Sequence, residues 1–325
     1  DETNSILENV RITNNTAGYG GGMCCWDNPS PTLLNVSISN NISTGIYCGA
    51  GGGLSCKWGA NPILENVIIT NNRSSWDGGG VSCAYQSSPV LKNVTISNNV
   101  TPERGGGIFC SWGSNVHLIN TILWNNYPQE VRFDGGFDPN SITISWSDID
   151  GGEQNIITQD NGTVYWLEGN IDNEPLFVGS GENPYALSSD SPCIDAGIID
   201  TTGLFLPQTD FIGNPRIWNE RIDMGAYEWN SLGKEFEFND QKSEVRVYPN
   251  PFTTSITLSY ELQQPEKVIL SIYNHLEQLV YQAEEIQPQG NQQLIWKADR
   301  YADGIYYYRL KIGDAVENGK IVKVR

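Results

Sequence analysis

Long apolar runs are missing from this sequence, and no stretch approaches the roughly 20 residues that a membrane-spanning helix requires. No charged leader with an apolar core opens the chain. No window carries an apolar stripe of 3.6-residue period, so helices are not expected. Basic side chains are scarce in the first 230 residues, where 8 Lys and Arg face 25 Asp and Glu; residues 231–325 are nearly balanced, with 11 and 13. That acidity repels phosphate backbones and anionic lipid, which disfavours nucleic-acid and membrane-surface partners and leaves neutral glycans and cations. Histidine is limited to two residues, and the seven cysteines are an odd number, so a disulfide framework cannot be assumed.

What the sequence has instead is repetition. Asn-Asn pairs at 14–15, 40–41, 71–72, 98–99 and 125–126 are spaced 26, 31, 27 and 27 residues apart. Triple glycines opening at Gly20, Gly51, Gly78 and Gly105 keep the same rhythm, followed at a fixed offset by Cys25, Cys56, Cys83 and Cys110. An apolar-x-Asn segment closes each unit, as in Leu91-Lys92-Asn93-Val94-Thr95-Ile96. A unit of about 27 residues made of short period-2 stretches between Gly, Asn and Pro predicts a parallel β-helix, whose coils stack at about 4.8 Å and bury their side chains only against each other.

The columns then acquire physical roles. Leu7, Leu33, Leu64, Leu91 and Leu118 form one aliphatic file, and Ile12, Ile38, Ile69, Ile96 and Leu123 another. Asn9, Asn35, Asn66, Asn93 and Asn120 are expected to form an inward ladder whose amides bond neighbouring coils. The glycines are expected at corners; they lack the helix and the Lys-Ser/Thr of a phosphate-binding loop. The Cys25, Cys56, Cys83 and Cys110 file reads as packed thiols or as inter-coil pairs such as Cys25 with Cys56, and Cys24 with Cys48 could pair across a corner. The repeat already runs through Ile6-Leu7-Glu8-Asn9-Val10, from which an N-terminal truncation is expected.

Beyond Asn126 the strict period dissolves. Ser145-Trp146-Ser147-Asp148-Ile149-Asp150-Gly151-Gly152, Glu174-Pro175-Leu176-Phe177-Val178 and Ser191-Pro192-Cys193-Ile194-Asp195-Ala196-Gly197 resemble closing coils of secreted β-helix proteins of the pectate-lyase-like superfamily. Asp210-x-x-Gly213-x-Pro215-Arg216 and Arg221-Ile222-Asp223-Met224-Gly225-Ala226-Tyr227-Glu228 resemble the choice-of-anchor Q ending. Val247-Tyr248-Pro249-Asn250-Pro251-Phe252, Asp303-Gly304-Ile305-Tyr306-Tyr307 and the terminal Lys320-Ile321-Val322-Lys323-Val324-Arg325 resemble the C-terminal sorting domain of type IX secretion, known from Bacteroidetes and related phyla. The usual Gly-Gln near Leu276 is Glu277-Gln278 here. The resemblance implies an all-β chain: a right-handed parallel β-helix followed by an immunoglobulin-like antiparallel sandwich. It implies regular coils over 1–127, irregular closing coils and a cap over 128–230, a linker over 231–245 and a sorting domain over 246–325. It further implies the secretion machinery as partner, display on the outer-membrane surface of a Gram-negative bacterium, and a tail that relatives commonly lose on attachment.

Catalytic motifs of polygalacturonase-like hydrolysis are absent. Lyase chemistry needs a cation and a proton acceptor, but Lys57, Arg73, Lys92, Arg104, Arg132 and His117 form no column, and His117 aligns with Val90 and Thr32 on the outward side. The expectation is a non-catalytic glycan-binding or adhesin-like stalk; the alternative is the C-terminal part of a polysaccharide lyase whose catalytic coils lie upstream. No organic cofactor is expected. Asp148, Asp150 and Glu153 offer hard oxygen ligands to Ca²⁺, against a solvated acidic turn. Trp58, Tyr85 and Trp112, with Trp26 one residue off register and Trp76 in a neighbouring corner, form either an aromatic strip for sugar faces or a cap on the core. The Thr13, Ser39, Thr70 and Ser97 file has beside it a column, Arg11, Ser37, Ile68 and Thr95, too mixed for a regular flat face.

Overall fold

Each coil turns on glycine and asparagine. The opening glycines of the triplets, Gly20, Gly51, Gly78 and Gly105, have φ between 43° and 62°, a conformation that costs other L-residues about 1–2 kcal/mol. The next glycine touches the coil beneath: a Cβ on Gly79 would lie 2.5 Å from the carbonyl oxygen of Gly106. The computed structural model describes residues 5–45, 50–136, 138–204, 206–218, 221–229, 245–262, 264–274, 279–312 and 315–324. Cys48, residues 231–244 of the expected linker over 231–245 and the turn at Leu276–Gln278 lie outside the described residues.

Two compact units divide the chain, Asp1–Gly233 and Lys234–Arg325. The first is a stack of parallel strands. Its longest sheet path joins Ile6–Glu8, Thr32–Leu34, Ile63–Thr70, Val90–Ser97, Asn115–Ile119, Asn140–Ser145 and Gly162–Trp166. A second sheet stacks Met23–Trp26, Leu54–Lys57, Val81–Ala84, Ile108–Cys110 and Val131–Phe133, and a third, short one stacks Thr16–Ala17, Ile42–Ser43 and Arg73–Ser74. The Leu and Ile files pair in the expected register and share one core with Cys25, Cys56, Cys83 and Cys110. Burying each aliphatic side chain contributes about 1.5–3 kcal/mol, so stacking alone accounts for most of the repeat.

Stacking also outlasts the visible repeat. Leu118 pairs with Ile144, Leu123 with Ile149 and Cys110 with Phe133, so the region expected to be irregular from residue 128 begins with regular coils as far as Trp166. Large apolar residues hold the core positions there while the Gly and Asn punctuation is lost.

The first asparagine file bonds neighbouring coils as expected, Asn35 donating to Asn9 at 3.2 Å, Asn66 to Asn35 at 3.1 Å and Asn120 to Asn93 at 3.0 Å, but its inward placement requires correction. Asn9, Asn35, Asn66, Asn93 and Asn120 all have φ between 50° and 56°. They are left-handed bends, and the residue that follows turns inward, Val36, Val67 and Val94 after Asn35, Asn66 and Asn93 and Thr121 after Asn120. Asn9 is exposed and Asn35 half-buried; Asn66, Asn93 and Asn120 are buried, and the outer two of these three bond the C-terminal segment, at the Thr209 carbonyl for Asn66 and the Ile198 amide for Asn120. The inward ladder is formed by the second asparagine of each pair. The Asn41 side chain donates to Asn72 Oδ1 at 3.0 Å, Asn72 to Asn99 at 3.0 Å and Asn99 to Asn126 at 2.9 Å. Each ladder oxygen also accepts the backbone N–H of the asparagine one coil before, and each amide donates its other proton to an isoleucine carbonyl. The polar atoms of these ladder side chains are thereby satisfied. The ladder ends on Glu130, whose two oxygens accept the backbone and side-chain N–H of Asn126.

After Trp166 the chain closes the stack and folds back over its outer face. It docks on the mixed column at Ile68 and Thr95 and at Ile122, the next residue in register. Ile68 packs against Ala226 and Tyr227, and Ile122 against Cys193 and Met224. The Ala226 N–H donates to Thr95 Oγ1 at 3.1 Å. Gly225 passes so close that a Cβ would meet Ile122 at 2.8 Å.

The second unit is an antiparallel sandwich. Arg246–Tyr248, Ser255–Leu262 and Gly290–Lys297 form one sheet; Leu279–Gln287, Glu266–Asn274, Gly304–Ile312 and Ala315–Lys323 form the other. Trp296 is fully buried at its centre, against Phe252 at 5.7 Å and Tyr306 at 5.1 Å between ring centroids.

Candidate functional site

The structure brings three of the five candidate aromatics together. Trp58, Tyr85 and Trp112 each follow a strand of the second sheet with φ of 54–56°, which turns their side chains out of the core at one corner. Trp58 and Tyr85 stack with centroids 4.1 Å apart and planes within 1°; Tyr85 and Trp112 stack at 5.5 Å and 17°. The faces of Tyr85 are thus occupied by its neighbours, whereas Trp58 remains 47% exposed. Trp26 stands elsewhere, paired with Lys57 in the sheet and set edge-on to Tyr19 at 6.3 Å. Lys57 Nζ lies 3.8 Å from the Tyr19 ring and 5.3 Å from that of Trp26. Trp76 sits by Arg104, 5.5 Å from the guanidinium, with Arg104 ion-paired to Asp134 at 3.0 Å and, at a longer 3.7 Å, to Asp77.

The acidic trio is not gathered into one site. Asp148 is buried, accepting the Asn173 N–H at 3.1 Å and the Cys193 thiol at 3.2 Å. Asp150 accepts the Asn125 N–H at 3.3 Å, and Glu153 is exposed in a 3₁₀ turn. Among the described residues no three His, Cys, Asp or Glu side chains are arranged to hold a metal ion. The cations are similarly dispersed: Lys92 is held by Glu65 at 2.8 Å and by the Leu204 carbonyl at 2.9 Å, and His117 lies between Val90 and Thr143 in the outer column. The four stacked cysteines are thiols; contact with the next thiol and burial hold Cys25 and Cys83 far above the usual range.

Sequence reasoning missed the charged cluster within the fold-back segment. Arg216, 2% exposed, bonds Glu228 at 3.1 Å, the Asp223 and Gly225 carbonyls at 3.2 and 2.9 Å, and Asn66 Oδ1 at 3.4 Å. Asp210 and Asp223 also face it. Their oxygens accept backbone N–H groups, from Asp195 and Trp229 for Asp223 and from Ile212, Asn214 and Glu228 for Asp210. One cation among three carboxyls leaves an excess of buried negative charge, so one acid must keep its proton. Glu228 is the poorest in donors, with Oε2 unbonded, and burial pushes it up to about 9. The residues of the Asp210–Arg216 and Arg221–Glu228 phrases are therefore a clamp that fastens the fold-back segment to the coils. Their buried roles, not an exposed chemistry, explain the specific wording.

Burial also raises Glu130 to about 8, Asp148 to about 7 and Asp223 to about 6. Acids whose folded values exceed their unfolded ones stabilise the fold fully below the unfolded values and lose that stabilisation as pH climbs through the folded ones. The thermal midpoint is therefore expected to fall from about pH 5 to about pH 9. Asp148→Asn, which keeps the acceptor for Asn173, should flatten the lower half of that slope. Calorimetry across this range checks both, and a midpoint that rises with pH would contradict them.

Two comparisons with known families bear on this geometry. Residues 1–123 match the right-handed β-helix region family, which supplies the handedness of the coils, and residues 246–324 match the secretion system C-terminal sorting domain. No curated protein matches the sequence. No helix among the described residues is long and apolar enough to cross a membrane. The chain is a right-handed parallel β-helix protein carrying a type IX C-terminal sorting domain, secreted and targeted to the cell surface.

Proposed function

We propose that this is a surface-displayed recognition stalk in which the β-helix presents Trp58 to extracellular glycan at the outer membrane. The observation that carries this reading is the Trp58–Tyr85–Trp112 stack. A rigid indole, backed on one face and half-open to solvent, is a platform for the apolar face of a sugar. Tyr85 and Trp112 act as its support, which fixes the ring before a ligand arrives and lowers the ordering cost of binding. The scaffold suits the role, because stacked coils that contact only their neighbours give a stiff rod.

The full chain on a glycan array, followed by titration of the best ligand, tests this. Trp58→Ala is expected to weaken binding at least about tenfold, or about 1.4 kcal/mol, with little change in thermal midpoint because the ring is half-exposed. Unchanged affinity in Trp58→Ala would remove the platform from consideration.

A further inference from the structure

The fold-back segment does not cover the whole outer face of the coils. Over Thr95 and Ile122 it is in direct contact. Beside its contacts with Ile68 and Asn71, its edge leaves a cleft of about 290 Å³ along the first three coils, which adjoins a second opening of about 490 Å³ sharing Arg11, Glu182, Asn183 and Phe211. The floor is the outward face of the coils, where the hydroxyls of Thr13, Ser39 and Thr70 lie in register, one coil or about 4.8 Å apart. The wall is the edge of the fold-back segment. Its position is fixed: the Tyr185 hydroxyl accepts the side-chain amides of Asn71 and Asn98, both at 2.9 Å, and Phe211 packs edge-on against Tyr227 at 5.6 Å.

We infer that this cleft is a binding site for a short stretch of neutral oligosaccharide, separate from Trp58. A run of hydroxyls and asparagine amides along three coils offers donors and acceptors at regular spacing, while Phe211 and Tyr185 bring aromatic carbon to one side. Such a lining matches a ligand with hydroxyls on its rim and C–H groups on its faces. Arg11 and Glu182 bring one charge of each sign to both openings. They can bond the same pair of neighbouring sugar hydroxyls, Arg11 as donor and Glu182 as acceptor. An anionic ligand gains little here, because Glu182 offsets Arg11 and residues 1–230 carry 25 acidic against 8 basic side chains. A purely apolar ligand would strip water from the hydroxyl floor without replacing its bonds.

The inference rests on glycan recognition by this chain but uses none of the aromatic corner, so the two can fail separately. The test titrates the full chain, by calorimetry, with neutral gluco-, manno- and galacto-configured oligosaccharides. Arg11→Ala and Glu182→Gln are each expected to weaken binding about tenfold, and Ser39→Trp, which fills the floor, to abolish it. All three sites are outward-facing, and thermal midpoints verify that each variant folds. Trp58→Ala is expected to leave this binding in place. Oligosaccharide binding that persists in all three cleft variants, or that is lost only in Trp58→Ala, would overturn the cleft while leaving the platform standing. A chain that binds none of the neutral oligosaccharides would overturn the cleft, whatever the array shows for charged glycans.

Discussion

Asn99→Ala is expected to destabilise the β-helix more than any other single change in its regular coils, by about 3–6 kcal/mol. The Asn99 carboxamide oxygen accepts from the backbone N–H of Asn72 at 2.9 Å and from its side chain at 3.0 Å; its amide donates to Asn126 Oδ1 at 2.9 Å and to the Ile69 carbonyl at 2.8 Å. Truncation strands two donors on Asn72 and weakens two acceptors, all within a region closed to water. Each orphaned buried group costs about 1–3 kcal/mol. Asn99→Asp preserves the shape and should be no better, because a carboxylate would face the Ile69 and Asn126 oxygens without a proton to give. Asn40→Gly is the control. Asn40 neighbours the ladder in sequence but is an exposed left-handed bend with φ of 57°, so glycine there should be nearly neutral. Urea unfolding of the three variants decides the matter. If Asn99→Ala cost no more than Asn40→Gly, the ladder would be incidental to stability.

The contrast between those two asparagines marks where sequence reasoning reached and where it stopped. Register was legible because identical residue types recur at a fixed offset, and Leu33 over Leu64 or Cys56 over Cys83 needs no further information. Which face an asparagine occupies was not legible. Alternation along a strand holds only while the backbone stays extended, and the left-handed bends at Asn35, Asn66 and Asn93 reset the phase midway through what reads as one strand. The second residue of each Asn-Asn pair was the available signal: a bend residue tolerates the left-handed region, whereas its neighbour repeats for the sake of its side chain. The fold-back segment was illegible for another reason. Its contacts reach residues tens to more than a hundred positions away, as between Ala226 and Thr95 or Ile198 and Asn120, and no period records them. The column Arg11, Ser37, Ile68 and Thr95 reads as mixed because part of it faces protein and part faces solvent. At the aromatic corner, spacing placed Trp58, Tyr85 and Trp112 together correctly. Only geometry could reveal that the stack consumes the faces of Tyr85 and leaves Trp58 as its half-exposed end.

Arg216→Met should loosen the fold-back segment by about 3–5 kcal/mol at pH 8, the cost of leaving buried acids without their cation. Three features set that magnitude. The guanidinium is closed to solvent, and it is surrounded by Glu228, Asp223 and Asp210. It also ties the segment to itself through the Asp223 and Gly225 carbonyls, and to the coils through Asn66. Lysine cannot substitute, because one ammonium cannot span bonds that diverge from two guanidinium nitrogens; Arg216→Lys should recover less than half of the loss. The penalty should shrink as pH falls. With the cation gone, Asp223 and Asp210 can take protons, since burial already holds both above the ordinary carboxylate range, while Glu228 keeps the proton it has. At pH 5 the methionine variant is therefore expected to regain most of its stability relative to the parent, the reverse of ordinary acid destabilisation. Limited proteolysis locates the effect: at pH 8 cleavage should appear between residues 173 and 229 while the coils before Trp166 stay protected. A variant equally resistant at both pH values would mean that packing of Ile68 and Ile122, and not the clamp, holds the segment in place.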